Sequence, residues 1–178
     1  MSTLADQLIP RPDTVTRHAI VINASRERVW DAAVTLKVSD LKLARPLLAA
    51  RGLASRLRNG HPQLDVATFT ALAEVPGREL VHGLVGQWWK LGGAGNVPIR
   101  SREAFEAFDR PGYAKGTFSV ELQDAGPERI RLVTETRVVA TSPDALRDFR
   151  RYWMFIRFGS SLLRRVMLAA VKERATAR

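Results

Sequence analysis

Residues 142–174 read SPDALRDFRRYWMFIRFGSSLLRRVMLAAVKER, and they predict one long helix near the end of the chain. Ser142 is a good N-cap residue, and Pro143 falls in the first helical turn, where its missing amide hydrogen is not needed. At about 1.5 Å per residue this helix is expected to be roughly 50 Å long. No other predicted element is long enough to cover a sheet in the same way.

The apolar residues of this helix form a wide stripe. They recur at alternating steps of three and four residues, as expected for one helical face. The main row comprises Leu146, Phe149, Trp153, Ile156, Ser160, Leu163, Met167 and Ala170, and the row beside it comprises Tyr152, Phe155, Gly159, Leu162 and Val166. The arginines, Arg157, Arg164 and Arg165 among them, are assigned to the opposite side.

Two features go beyond this amphipathic pattern. Met154 and Phe158 project among the arginines, where they either form a dimer or partner surface or are covered by another segment. Small residues occupy the middle of the buried face at 159–161, and they recur on the strands expected to face it. Those on the strands are Ala67, Ala71, Ala73, Ala114 and Gly116. Small residues on both sides suggest an internal cavity.

The preceding part of the chain predicts an α+β domain. Period-two alternation and β-branched residues indicate strands, and turns rich in glycine and proline separate them. The predicted strands span residues 15–23, 65–75, 78–89, 102–109, 113–123 and 129–141, and the predicted short helices span 26–34 and part of 38–59. One apolar and one polar face per strand predicts an antiparallel sheet covered on a single side. On the polar face, Glu135 and Arg137 are expected to form a weakly stabilising surface pair.

Composition bounds the class of protein. Of 178 residues, 46% are hydrophobic and 26% are charged, which excludes general disorder. The chain has no cysteine and three histidines, so disulfides and thiolate metal sites are excluded and a histidine-rich metal site is disfavoured. We expect a flexible segment 1–14 followed by a single domain 15–178, with no cofactor. Without a signal peptide or a transmembrane run, the predicted location is the cytoplasm.

The net charge of +10 is the unusual bulk property. The arginines are dispersed without a dense basic block, and no aromatic RNA-binding signature accompanies them. This disfavours nucleic acid as a partner and favours a solvated basic surface.

The order of a strand, two short helices, antiparallel strands and a long C-terminal helix resembles the START-like, or helix-grip, superfamily. The opening NASRERVW at 23–30 carries the resemblance, as do Thr136-Arg137-Val138, Phe149, Tyr152-Trp153, Gly159-Ser160 and Leu163-Arg164-Arg165. These residues are similar to the bacterial SRPBCC group, which includes polyketide cyclase-like and lipid-transfer-like members. The resemblance, over about residues 15–175, implies a curved sheet wrapped around the last helix and a cavity for an apolar small molecule. It leaves the function to be argued from the site.

Candidate pocket residues follow from the apolar faces of the strands and the helix. They are Phe69, His82, Trp88, Phe118, Thr134, Thr136, Tyr152, Phe155 and Ser160. Trp88 and Trp89 are adjacent in a predicted strand, so one indole is expected on each face. His82 and Tyr152 are the candidates for proton transfer, although a strand histidine is more often structural.

Three functions are weighed on this basis. The first is binding of an apolar or aromatic molecule, lipid-like or polyketide-like, between the sheet and the last helix, without assigned catalysis. The second is a cyclase/aromatase-type enzyme that uses His82 or Tyr152. The third is an interaction module that binds RNA or a protein through the basic helix face, and a homodimer through Met154 and Phe158 is a further expectation.

Overall fold

The computed structural model of the protein describes residues 2–36, 69–90 and 95–177. Its elements are helix α1 (Leu4–Leu8), strand β1 (Thr14–Asn23), helix α2 (Arg26–Val34), strands β2 (Thr70–Val75) and β3 (Glu79–Gly86), helix α3 (Arg102–Glu106), strands β4 (Ala114–Asp124) and β5 (Arg129–Ala140), and helix α4 (Pro143–Thr176). The predicted second short helix within 38–59 lies outside the described residues, as does the start of the predicted strand 65–75. Within the described ranges, no helix has the length and apolar character that a membrane span requires.

The strands form an antiparallel sheet in the order β1-β5-β4-β3-β2. Directly opposed residues point their side chains to the same face, so the register defines rows across the sheet. In one row Thr136 pairs with Phe118, which pairs in turn with His82. In the next row Thr134 pairs with His18. Both rows belong to the face that α4 covers, which we call the inner face.

Two separate apolar clusters hold helix α4 against the inner face. Near its start, Phe149 packs with Ala114 and Val138. Near its end, Leu168 and Val171 pack with buried residues of β1, β4, β5 and α2. A curved antiparallel sheet gripping a long C-terminal helix confirms the predicted α+β, helix-grip fold. Between the two clusters, Arg164 of the helix contacts Thr136 and Phe118 of the sheet.

The outer face of the sheet is also covered, so the prediction of a sheet covered on a single side is wrong. Phe105 of α3 and Val81 of β3 are both fully buried there, and Leu8 of α1 is 5% exposed. The sequence predicts a flexible segment where α1 stands. Thr3 caps this helix by accepting from the Asp6 amide, and the Asp6 carboxylate accepts from the Thr3 amide. This capping box is the sequence signal that marks the helix start.

Residues 102–106 form a helix, so the predicted strand 102–109 is wrong. The Ser101 side chain caps the helix by accepting from the Ala104 amide at 3.2 Å. Phe105 of this helix is fully buried, and Phe108, two residues beyond the helix end, packs against the same outer-face cluster. The N-cap residue Ser101 is the sequence signal that marks the helix start.

Glu135 and Arg137 do not form the predicted surface pair, because they are only 4% and 9% exposed. The Glu135 carboxylate accepts from Arg17 Nε at 2.6 Å and from Arg137 Nε at 2.5 Å. Arg137 also donates to the Ile9 carbonyl at 3.1 Å and to the Asp6 carboxylate. The outer layer therefore buries this pair and supplies the partners that keep the burial favourable.

Candidate functional site

Arg164 lies where the middle of α4 crosses the sheet. Its Nη2 donates a hydrogen bond to Thr136 Oγ1 at 2.9 Å, and its guanidinium carbon lies 3.8 Å from the centre of the Phe118 ring. The sequence-based assignment of Arg164 to the opposite side of the helix is therefore wrong. Arg164 precedes the buried Leu168 by four residues, which is about one helical turn, so the two side chains share a face.

The guanidinium group of Arg164 has no carboxylate partner in the described part of the chain. Burial lowers the pKa of Arg164 to about 10, so the group remains cationic at neutral pH. Cations removed from water are normally paired, because leaving them unpaired is strongly unfavourable. Arg164 therefore presents to the inner face a positive charge that no carboxylate of the described residues neutralises.

Two polar groups near Arg164 are buried without a hydrogen-bond partner among the described residues. They are His18 Nδ1 and Thr134 Oγ1, which belong to directly opposed residues one row from Thr136. Burial lowers the pKa of His18, and the charges of Arg164 and Arg165 lower it further, so the ring is neutral at neutral pH. Buried polar atoms are nearly always satisfied in proteins. These two atoms are therefore exceptions among the buried polar groups of the described residues.

An aromatic group lies near the start of α4. Trp88 and Trp89 both pack edge-to-face on Phe149, with ring centres 6.1 and 6.4 Å away. The expectation of one indole on each face is wrong, because β3 ends at Gly86 and strand alternation stops there. The Trp88 ring lies over Gly116, where a Cβ atom would come within 2.7 Å of Trp88 Cη2. Trp88 Nε1 is buried without a partner in the described chain.

The structure brings together only part of the predicted pocket. The residues on the inner face and on the first turns of α4 are His82, Trp88, Phe118, Thr134, Thr136 and Tyr152. Phe69 and Phe155 do not join them, since they are 43% and 78% exposed. Ser160 is half-buried in the middle of α4.

His82 and Tyr152 are placed differently from each other. His82 lies on β3 in register with Phe118, and burial lowers the pKa of its imidazole while the Glu74 carboxylate acts in the opposite direction. The ring is therefore neutral at neutral pH and able to accept a proton. Tyr152 is half-buried in the aromatic group around Phe149. In the described ranges, no three His, Asp or Glu side chains are grouped as metal ligands would be.

Arg164 and His18 are the site residues that the sequence analysis missed, although a signal for each was present. His18 alternates with Ile20 and Ile22, which point to the core. Arg164 follows Ser160, a member of the predicted apolar row, by one helical turn. The positions of both residues indicated the inner face, but their residue types favoured solvent.

No protein-family model matches the chain, and no curated protein matches it in sequence. A solved structure of a conserved protein from Geobacillus kaustophilus is 12% identical with a TM-score of 0.45, over 90% of this chain and 93% of that one. The Zhui aromatase/cyclase from a Streptomyces species is 12% identical with a TM-score of 0.37, over 92% and 96%. The di-domain ARO/CYC BexL is 13% identical with a TM-score of 0.39, over 97% of this chain and 53% of that one. Likenesses this distant concern the fold alone, and by the arrangement of its sheet and long last helix the chain has a helix-grip fold.

Proposed function

We propose that the protein binds an apolar or aromatic small molecule, lipid-like or polyketide-like, between the inner face and α4. The observation that carries the proposal is a pair of buried atoms, His18 Nδ1 and Thr134 Oγ1, that have no hydrogen-bond partner among the described residues and lie between the two apolar clusters of α4. Small-molecule sites combine a mostly apolar wall with a few convergent polar groups. Phe118 and Trp88 supply an aromatic wall of this kind.

Native mass spectrometry of the freshly purified protein tests the proposal, and the expected result is a co-purifying small molecule. Thr134→Val removes a hydroxyl from the inner face and is expected to reduce the bound fraction. Thr117→Val is the matched control, because the Thr117 hydroxyl is also buried and unpartnered in the described chain but lies on the outer face. A crystal structure with a filled core and no cavity of about 300 Å³ would contradict the proposal.

A cyclase/aromatase-type enzyme is a second candidate, supported by the position of His82. Its neutral ring shares a row with Phe118, so a bound aromatic or enolic group beside Phe118 would lie within reach of a base. Positioned acid–base groups contribute roughly 10²-fold or more to rate. His82→Ala and Tyr152→Phe are therefore expected to lower kcat on a polyketide-like substrate, measured by product formation. Unchanged activity in both variants would refute this assignment.

The outward side of α4 supports a separate proposal about partners. Met154 and Phe158 are 58% and 71% exposed, and we propose that they contact a second copy of the chain. Sedimentation velocity is expected to show a dimer that the double substitution Met154→Ser and Phe158→Ser converts to a monomer. A monomeric parent protein would contradict the proposed dimer.

An RNA or protein interface on the basic face of α4 is the alternative. It predicts salt-dependent binding that is lost when the charges of the arginines at 150, 151 and 157 are reversed.

The cytoplasmic location and the single domain 15–178 stay predictions.

A further inference from the structure

The charge of Arg164 limits the class of ligand more than the apolar wall does. We infer that the ligand between α4 and the inner face carries an anionic oxygen group, a carboxylate in the simplest case, and that Arg164 binds it. The inference rests on the proposed function and deepens it, because it assigns a charge and a position to one end of the ligand. The apolar or aromatic body of the ligand would extend from Phe118 toward Trp88.

Most of the hydrogen-bonding capacity of Arg164 is not used by the described residues. A guanidinium carries five N–H donors. In the described chain, the Arg164 side chain makes one hydrogen bond, from Nη2 to Thr136 Oγ1, and no ion pair. The planar fork of an arginine matches the two oxygens of a carboxylate, and such charge-assisted pairs are among the strongest hydrogen bonds in proteins.

The surroundings of Arg164 also favour an anion. Among the described residues, the charged groups that act on His18 are Arg164 and Arg165, and both are cationic. Thr134 is 4% exposed, and its hydroxyl can donate to an oxygen of the same ligand group. Arg164 and His18 are both partly buried, so the attraction between a cation and an anion is stronger here than at a fully exposed site.

A structural role for Arg164 is the competing explanation, since its guanidinium covers Phe118 and gains cation–π attraction. Arg137, on the other face of the same sheet, shows how this chain treats a structural arginine. Its guanidinium meets the carboxylates of Glu135 and Asp6. The chain supplies no such partner to Arg164 among the described residues, and this contrast favours a ligand.

Calorimetric titration with naphthalene carboxylate and naphthalene carboxamide tests the inference, because the two probes share an aromatic body and differ in charge. The full-length protein is expected to bind the carboxylate about tenfold more tightly than the amide. Arg164→Met is expected to remove this preference and to leave the amide affinity within about twofold. Arg157→Met is the control for general positive charge, since Arg157 is exposed on the same helix, and it should leave the preference unchanged.

Two outcomes separate this inference from the proposed function. Equal affinities for the two probes, or an equal loss of both in Arg164→Met, would overturn the inference and leave aromatic binding intact. Binding of neither probe would overturn both proposals. If Arg164→Met does not fold, as judged by circular dichroism, Arg164→Lys replaces it. Lysine keeps the charge without the planar fork, so a reduced but measurable preference is expected, and an unreduced one would contradict bidentate binding.

Discussion

Both faces of the sheet carry charged side chains that are wholly or partly buried, but among the described residues the buried ion pairs lie on the outer face. On the outer face, Glu135 lies between two arginines, and Arg137 reaches the Asp6 carboxylate from the N-terminal helix. On the inner face, Arg164 meets a threonine hydroxyl and an aromatic ring. The charged groups of this outer cluster pair with one another, and these pairs join α1 to the sheet. The inner arginine keeps a charge that the described chain does not neutralise, as the proposed role of Arg164 in ligand binding requires.

Glu79 extends the same contrast. It is 4% exposed on the outer face, and its carboxylate accepts from the Leu4 amide at 2.8 Å and from the Ala5 amide at 3.1 Å. An anion at a helix N-terminus is favourable, so this burial also stabilises the fold. Thr117 Oγ1 is an outer-face atom without a partner in the described ranges, but it is an uncharged hydroxyl. The two faces therefore differ in whether their charged side chains find partners among the described residues.

Removing Glu135 should have the largest effect, because it leaves Arg137 buried with fewer partners. Glu135→Ala is expected to lower the free energy of unfolding by about 4 kcal/mol, measured by urea denaturation. Glu106→Ala is the matched control. Its partner is Arg102, in an exposed pair one helical turn apart, and a change of about 0.5 kcal/mol is expected. Equal effects of the two substitutions would contradict the outer cluster as described.

Truncating a buried residue of α1, the helix that supplies partners to the charged groups of the outer face, should have the next largest effect on the free energy of unfolding. Leu8→Ala is expected to lower the free energy of unfolding by about 3 kcal/mol, since Leu8 is 5% exposed and its truncation leaves a cavity. Leu162→Ala, at a position that is 54% exposed on α4, should change it by less than about 0.5 kcal/mol. A negligible effect of Leu8→Ala would mean that α1 does not stabilise the sheet.

Replacing Arg164 should change the free energy of unfolding by less than the two substitutions above, and in the opposite direction. In ligand-free protein, Arg164→Met is expected to raise the free energy of unfolding by about 1 kcal/mol, because an apolar side chain replaces a partly buried charge that has no carboxylate partner among the described residues. Arg137→Met should lower it instead, since Glu135 then loses a buried partner. Thermal denaturation of both variants measures this difference in sign. A loss of more than about 2 kcal/mol in Arg164→Met would make Arg164 a structural residue.

A decrease in pH below the usual pKa of histidine should lower the free energy of unfolding slightly, through His18 and His82 on the inner face. Burial is the main cause that lowers the pKa of both His18 and His82. Below the unfolded value of 6.5, the unfolded chain binds protons that these rings resist in the folded state. Stability is therefore full above this pH and falls as the pH decreases, by about 1 kcal/mol or less per histidine over one pH unit. His82→Gln should reduce this slope in denaturation curves, and an unchanged slope would contradict the burial of the ring.

Local patterns in the sequence were sufficient for most of the fold. Alternation and β-branched residues predicted five strands that the structure contains, and Ser142 with Pro143 predicted where α4 begins. These features depend on residues close together in the chain, so they can be read without knowing what packs on them. The candidate site was predicted in part for the same reason. Phe118, Thr134 and Thr136 share the parity of the apolar face.

Tertiary structure alone decided which faces are covered and which charges are paired. Asp6 and Arg137 are 131 residues apart, so no local pattern could show that Arg137 is buried with a partner. Arg164 looks like a solvated arginine until the sheet is placed beneath it. Alternation shows which side chains share a face, but desolvation and partnership depend on what packs against that face. For this reason the sequence alone could not predict the salt-bridge cluster of the outer face. Nor could it predict an inner arginine that has no carboxylate partner among the described residues.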